Sequence, residues 1–266
     1  MSIGFRLASC ASATLLGFLL AGCAIQSWLG EGASTEKPDQ MMRVASDIEA
    51  QGEIAAALPI YERAAATSSD ATAQLRLGDA YTRAGKTDQA IQAYRAALAV
   101  APDNPDALLG LGSALVKAGD PDGAVVALAK VAPIVNTMTA YNRLGVAQTL
   151  AGQFAQAHHS FDAASALAPD DLDVRTNLAL AAALDGQETK AIDATRAVVT
   201  SPRAEARHRR NLMIVFGLLG RADEGRAAAP KELSAAEVEK LLARATAIRA
   251  IGDAKARAKA LGTIMG

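Results

Sequence analysis

Aromatic residues, cysteine and net charge are all scarce in this chain, and each scarcity removes a class of protein. Phe, Trp and Tyr make up 4% of the 266 residues, and no β-branched runs lie between turn signals, which sets aside β-sandwiches and barrels. Lys and Arg number 27 against 28 acids, a net charge of −1, so the basic footprint of a nonspecific nucleic-acid binder is missing. Catalytic patterns are missing too: there is no G-x-S-x-G, H-E-x-x-H or C-x-x-C. Gly85-Lys86-Thr87 imitates the end of a phosphate-binding loop, but Ala80 stands where its first glycine belongs and no strand precedes it. His158 and His159 are adjacent, about 100° apart on a helix, and cannot chelate as an i, i+4 pair would. His208 lies in an arginine-rich run. The expectation is a protein without catalytic residue, metal, cofactor or small-molecule substrate.

What the chain has in abundance is alanine and repetition. Residues 71–104 divide into two short helices, one with the apolar stripe Leu75, Leu77, Gly78, Tyr81 and one with Ala90, Ile91, Tyr94, Ala97. Gly85 punctuates the turn between them, Asp88 is placed to cap the second helix, and Pro102 follows its end. Such a pair cannot bury its own apolar faces and needs neighbours on both sides. The chain supplies them. Turn glycines recur at Gly52, Gly85, Gly119, Gly152, Gly186 and Gly220, spaced 33 or 34 residues apart. An aliphatic residue precedes each (Val44, Leu77, Leu111, Leu144, Leu178, Leu212), and a small one follows (Ala57, Ala90, Ala124, Ala157, Ala191, Gly225). Two helices approach closely only where side chains are this small.

This pattern resembles the tetratricopeptide repeat. The resemblance implies an all-α fold, a TPR α-solenoid in which helical hairpins stack into a right-handed superhelix. The units are 38–70, 71–104, 105–137, 138–171, 172–205 and 206–229, the outer two degraded; an unrelated bundle would not keep phase over six periods. Pro59 is expected to kink or shorten the second helix of the first unit. Asn104-Pro105 reads as cap and first helical residue of the third unit, and Asp122 and Asp223 occupy the position of Asp88. Beyond Pro230, Ser234 and Glu237 form a capping-box signature for a last helix with the stripe Val238, Leu241, Leu242, Ala245, Ile248. Residues 230–266 are thus expected to be a C-terminal capping helix and tail. Lys255, Arg257 and Lys259 in the tail read as a solvated basic face, with contact to anionic lipid as the alternative.

The N-terminus reads as an address. Residues 7–20 form an apolar run too short to span a membrane comfortably, ending in Leu20-Ala21-Gly22-Cys23. That tetrapeptide resembles the bacterial lipobox. The resemblance implies a signal peptide over 1–22, cleavage before Cys23, and lipidation of Cys23 by diacylglyceryl thioether and amine acylation (palmitate labelling). Cys10 falls in the removed segment, so the mature chain keeps one cysteine and no internal disulfide. Residues 23–37 read as a flexible tether carrying Trp28, which either dips into the membrane interface with Leu29 or packs on the first repeat. In enterobacterial lipoproteins an aspartate after the cysteine retains the protein at the inner membrane. Ala24 stands there, which implies the outer membrane, periplasmic face.

In the repeat family the first helices of successive units line a concave groove. Phase places Asn142, Arg143, Asn177, Arg207, Arg210 and Asn211 along it. Asparagine amides can bond an extended backbone through donor and acceptor, and arginines can hold a carboxylate bidentately. The expected ligand is an extended or acidic segment of a protein partner; the alternative is a solvated polar face. The lysine and asparagine set of the chaperone-type carboxylate clamp is incomplete. The overall plan of lipobox, tether and six degenerate repeats, with units such as VRTNLALAAALDGQETKAI (174–192) and RRNLMIVFGLLGRADEG (209–225), resembles the Tad/Flp pilus assembly lipoproteins (TadD). This implies a protein–protein adaptor in tight-adherence pilus assembly and secretion, helping the secretin to assemble or localise. A pilotin of another type IV pilus or secretion system, and a periplasmic adaptor for peptidoglycan hydrolases or proteases, stay open.

Overall fold

A computed structural model describes residues 37–265; the expected signal peptide, Cys23 and Trp28 lie outside them. Among the described residues there are fourteen α-helices and no strand. Six successive pairs run α1 (Pro38–Ala50) with α2 (Ile54–Thr67), α3 (Ala71–Arg83) with α4 (Thr87–Val100), and α5 (Pro105–Lys117) with α6 (Pro121–Val135). Then come α7 (Met138–Leu150) with α8 (Phe154–Leu167), α9 (Leu172–Leu184) with α10 (Glu188–Val199), and α11 (Ala206–Leu219) with the short α12 (Ala222–Ala228). Two further helices follow, α13 (Ala235–Arg249) and α14 (Ala254–Met265). The two helices of each hairpin pack together and each hairpin packs on the next, which makes an α-solenoid.

The glycine period is a backbone requirement. All six turn glycines have φ between +72° and +89°. At Gly85 the turn closes as a Schellman motif: Lys86 N–H donates to Tyr81 O (2.9 Å) and Gly85 N–H to Thr82 O (3.1 Å). A second set of glycines sits mid-helix for another reason. A Cβ on Gly78 would lie 2.7 Å from the Tyr94 ring, and one on Gly145 2.7 Å from that of Phe161. Bare backbone on one helix of the hairpin therefore receives a large side chain from the other.

Helix starts follow the sequence in part. Asn104 accepts from Ala107 N–H at 3.0 Å, with Pro105 at the first turn. The Ser234–Glu237 capping box is closed in both directions. Asp88, however, is not a cap: Lys86 holds that position without a side-chain bond, and Asp88 lies in the first turn, where its charge faces the positive helix end. Asp122 is likewise one turn in, and Asp120 caps α6 by accepting from Gly123 N–H at 2.9 Å. Nor does Pro59 shorten α2, which has 14 residues like α4 and α8. Pro59 and the residue whose carbonyl it leaves unpaired, Ala55, are both exposed, so water can take that carbonyl.

The core changes character along the stack. One cluster runs unbroken from Met41 to Ala147, whereas later units split into several. Among the described residues the buried polar side chains (Gln148, Thr149, His158, Ser160, Thr176, Thr195, His208) all fall in that second part. There α11 packs on α9 more than on α10, and α13 packs on α11. Residues 254–265 do not trail free: α14 folds back onto α7 and α9, with Lys255 and Lys259 exposed and Arg257 half-buried.

Candidate functional site

The first helices of units one to four present a trough. Its first hollow, about 360 Å³, is lined by residues including Asp39, Arg43, Ser46, Thr72 and Arg76. The second, about 640 Å³, shares Thr72 and Arg76 and adds Asp79, Asp106, Gly110, Ser113 and Arg143. The walls follow from repeat phase: Arg43, Arg76 and Arg143 each stand directly before the repeated aliphatic Val44, Leu77 or Leu144. They form one row, and Gly110, before Leu111, occupies its third place. A Cβ on Gly110 would come within 2.5 Å of the Tyr94 ring, so that ring fills the place a side chain would take and floors a shallow notch in the row.

That floor is fixed. Tyr94 is 2% exposed, its hydroxyl donating to Asp79 Oδ1 at 2.8 Å and lying 3.1 Å from Thr82 Oγ1. Burial, and with it the Asp79 bond, pushes the phenol well above its usual range. Tyr61 donates to Glu49 (2.9 Å) and Tyr81 to Glu62 (2.8 Å) in the same manner. Burial and the Glu62 bond take Tyr81 to about 12. Arg43, Arg76 and Arg143 line these hollows, and among the described residues they form no ion pair.

The residues singled out in the sequence are distributed differently. Asn142 and Asn177 bond each other, Nδ2 of Asn177 donating to Oδ1 of Asn142 at 3.0 Å. Arg143 lines the second hollow with Arg76. Arg207, Arg210 and Asn211 lie apart, in a hollow closed by Pro230, Glu232 and Leu233. Arg207 pairs with Asp173 (3.2 Å) and Glu205 (3.5 Å), and Arg210 is also engaged within the chain. His208 is buried between Glu205 N–H, which donates to its Nδ1 at 3.0 Å, and Asp173 Oδ1, 2.9 Å from Nε2. The six residues therefore make three places rather than one line. Arg43, Arg76 and the Gly110 notch escaped the sequence reading. Their signal was present in the repeat alignment, an arginine immediately before the repeated aliphatic.

Among the described residues no three metal-ligating side chains cluster, and no helix is long and apolar enough to cross a membrane. A tetratricopeptide-repeat profile matches residues 46–105, 75–143 and 143–206, which together span more than half of the chain. Among solved structures, MamA from Desulfovibrio magneticus RS-1 superposes with a TM-score of 0.57 at 19% identity, over 61% of this chain and 93% of that one. MamA of strain MSR-1 gives a TM-score of 0.52 at 28% identity, over 60% and 90%. YrrB, described as a TPR protein with an unusual peptide-binding site, gives 0.57 at 20% identity, over 78% and 96%. No curated protein sequence matches the chain.

Proposed function

Because this chain belongs to the tetratricopeptide-repeat family, we propose that it is a scaffold whose trough over α1, α3, α5 and α7 holds an extended, acidic segment of a protein partner. The observation that carries this is the row Arg43, Arg76, Arg143, without ion pairs among the described residues and interrupted at Gly110, over Tyr94. Carboxylates of the segment meet the arginines, and a side chain between them lies over the shallow notch at Gly110. Asp39 and Asp106, in the first turns of α1 and α5, set register by repelling a misplaced acid.

The leader and the overall plan support a more specific setting. Lipidation at Cys23 would tether the array to the periplasmic face of the outer membrane through residues 23–37, and acyl chains contribute about 0.8 kcal/mol per buried methylene. In that setting the protein serves Tad/Flp pilus assembly, with a secretin or another pilus component as partner. Crosslinking in membranes followed by copurification tests the reading. The native chain should capture a pilus or secretion component, and Arg76→Glu with Arg143→Glu should lose it. Capture unchanged by the double reversal would overturn the trough; capture of hydrolases or proteases alone would overturn the pilus assignment.

A further inference from the structure

Helix α14 is fastened to a place that the array prepares for it. It packs on α7, α9 and α13 and buries Ala258 and Leu261, which join a cluster holding Phe154, Leu184 and Ile248. Arg257 Nε donates to Leu184 O at 2.9 Å, in the last turn of α9, where unpaired carbonyls gather negative partial charge. Its Nη1 donates to Ile251 O (2.8 Å) and Gly252 O (2.9 Å), which holds the helix start against that end. Lys255 Nζ reaches Asp122 Oδ2 at 2.8 Å.

The α7–α8 turn is shaped for this approach. A Cβ on Gly152 would lie 2.9 Å from Lys255 Cα and 3.1 Å from Lys255 N. The same addition at Gly52, Gly85, Gly119 or Gly186, all of similar positive φ, meets nothing within 4 Å. Gly152 thus admits the backbone of a docked helix. Apart from the Arg257 bonds, the fastening is light. No side chain of 254–262 other than Ala258 and Leu261 is buried, and both partners of the Lys255–Asp122 pair are more than half exposed, at 65% and 56%. An exposed pair of this kind contributes little. Non-helical residues 251–253, with open space around Gly252, connect α14 to α13.

We propose that the surface formed by Gly152, the C-terminal end of α9 and Asp122 is a docking site for a basic amphipathic helix. α14 occupies it in cis, and a partner helix with the same spacing (Lys, then Arg two residues on, small at the next, Leu three further) takes it by displacement. The site lies apart from the trough and stands without it. A displaceable strap lowers a competitor's apparent affinity by the fraction of time it is closed.

The test uses a fluorescent peptide of residues 249–266 and the full chain carrying Leu261→Asp to release α14, with hydrogen exchange in α1–α11 verifying that the array stays folded. The peptide should bind the released chain about tenfold or more tighter than the native one. Adding Gly152→Ala should remove that binding, and adding Gly119→Ala should keep it. Equal binding to released and native chains, or equal loss from both glycine substitutions, would overturn the site. Should Leu261→Asp unfold the array, Gly152→Ala and Gly119→Ala in the otherwise native chain decide. The first must expose the amides of 254–262 to exchange and the second must not; identical exchange in the two would reject the site.

Discussion

Three tyrosine hydroxyls pin neighbouring helices of the first two units together, each by donating to a carboxylate on the preceding helix: Tyr61 to Glu49, Tyr81 to Glu62, Tyr94 to Asp79. A donor held this way keeps its proton. The unfolded chain releases phenolic protons near pH 10, whereas folded Tyr81 does so near 12 and Tyr61 and Tyr94 are shifted in the same direction. Folded chain therefore binds more protons than unfolded chain above pH 10. The stabilisation is complete below that value and is lost as pH rises towards 12. Urea midpoints should fall across this window in step with tyrosinate absorbance, and a midpoint flat through it would contradict the pins. Tyr94→Phe should cost about 1 kcal/mol, keep the helical circular dichroism, and reduce the alkaline loss. In the later units histidines stand beside carboxylates of other units, His158 Nε2 3.2 Å from Asp185 Oδ2 and His208 Nε2 2.9 Å from Asp173 Oδ1.

Each hairpin depends on two kinds of glycine, and substitutions separate them. Gly85→Ala puts a side chain at φ +72°, with nothing nearby to clash; it should cost about 1–2 kcal/mol from conformation alone. Gly145→Ala keeps helical φ but drives a methyl into the Phe161 ring, and should cost about 1–3 kcal/mol through overpacking. The two become distinguishable when Phe161→Leu is added, which should relieve the second and leave the first; equal effects would show that the ring contact is not limiting. The element scale is also where sequence reasoning was strongest. Turn glycines, aliphatics and the Ser234 capping box are local, and each was legible from spacing alone. Asp88 was misread because the helix starts directly after Lys86, which takes the cap position next to Gly85, and two residues of phase separate that cap from the first-turn charge of Asp88.

Taken whole, the molecule is a scaffold with a polar trough over its first four units and a second half whose core is broken by buried polar groups. Solenoids open unit by unit, so hydrogen exchange should protect α3–α7 most and α10–α12 less, since α10 barely contacts α11 and α12 has seven residues. Uniform protection would contradict that division. At this scale too, Cys23→Ser should release the protein from membranes and abolish palmitate labelling. A labelled, membrane-bound variant would refute the anchor.

The sequence by itself determined the hairpin, its period and its stacking, because those follow from contacts within about 34 residues that every unit repeats. The proposed lipid site at Cys23 likewise rests on the sequence alone, as a contiguous word of four residues. Only the tertiary structure decided which groove residues remain open. Arg207 is spent on Asp173, 34 residues away, and Asn177 on Asn142, 35 away, while Arg43, Arg76 and Arg143 form no ion pair among the described residues. It alone decided the place of α14, whose Lys255 meets Asp122 across 133 residues. Side-chain pairing between units depends on which neighbour happens to face which, and a repeat pattern, being the same in every unit, carries no record of that.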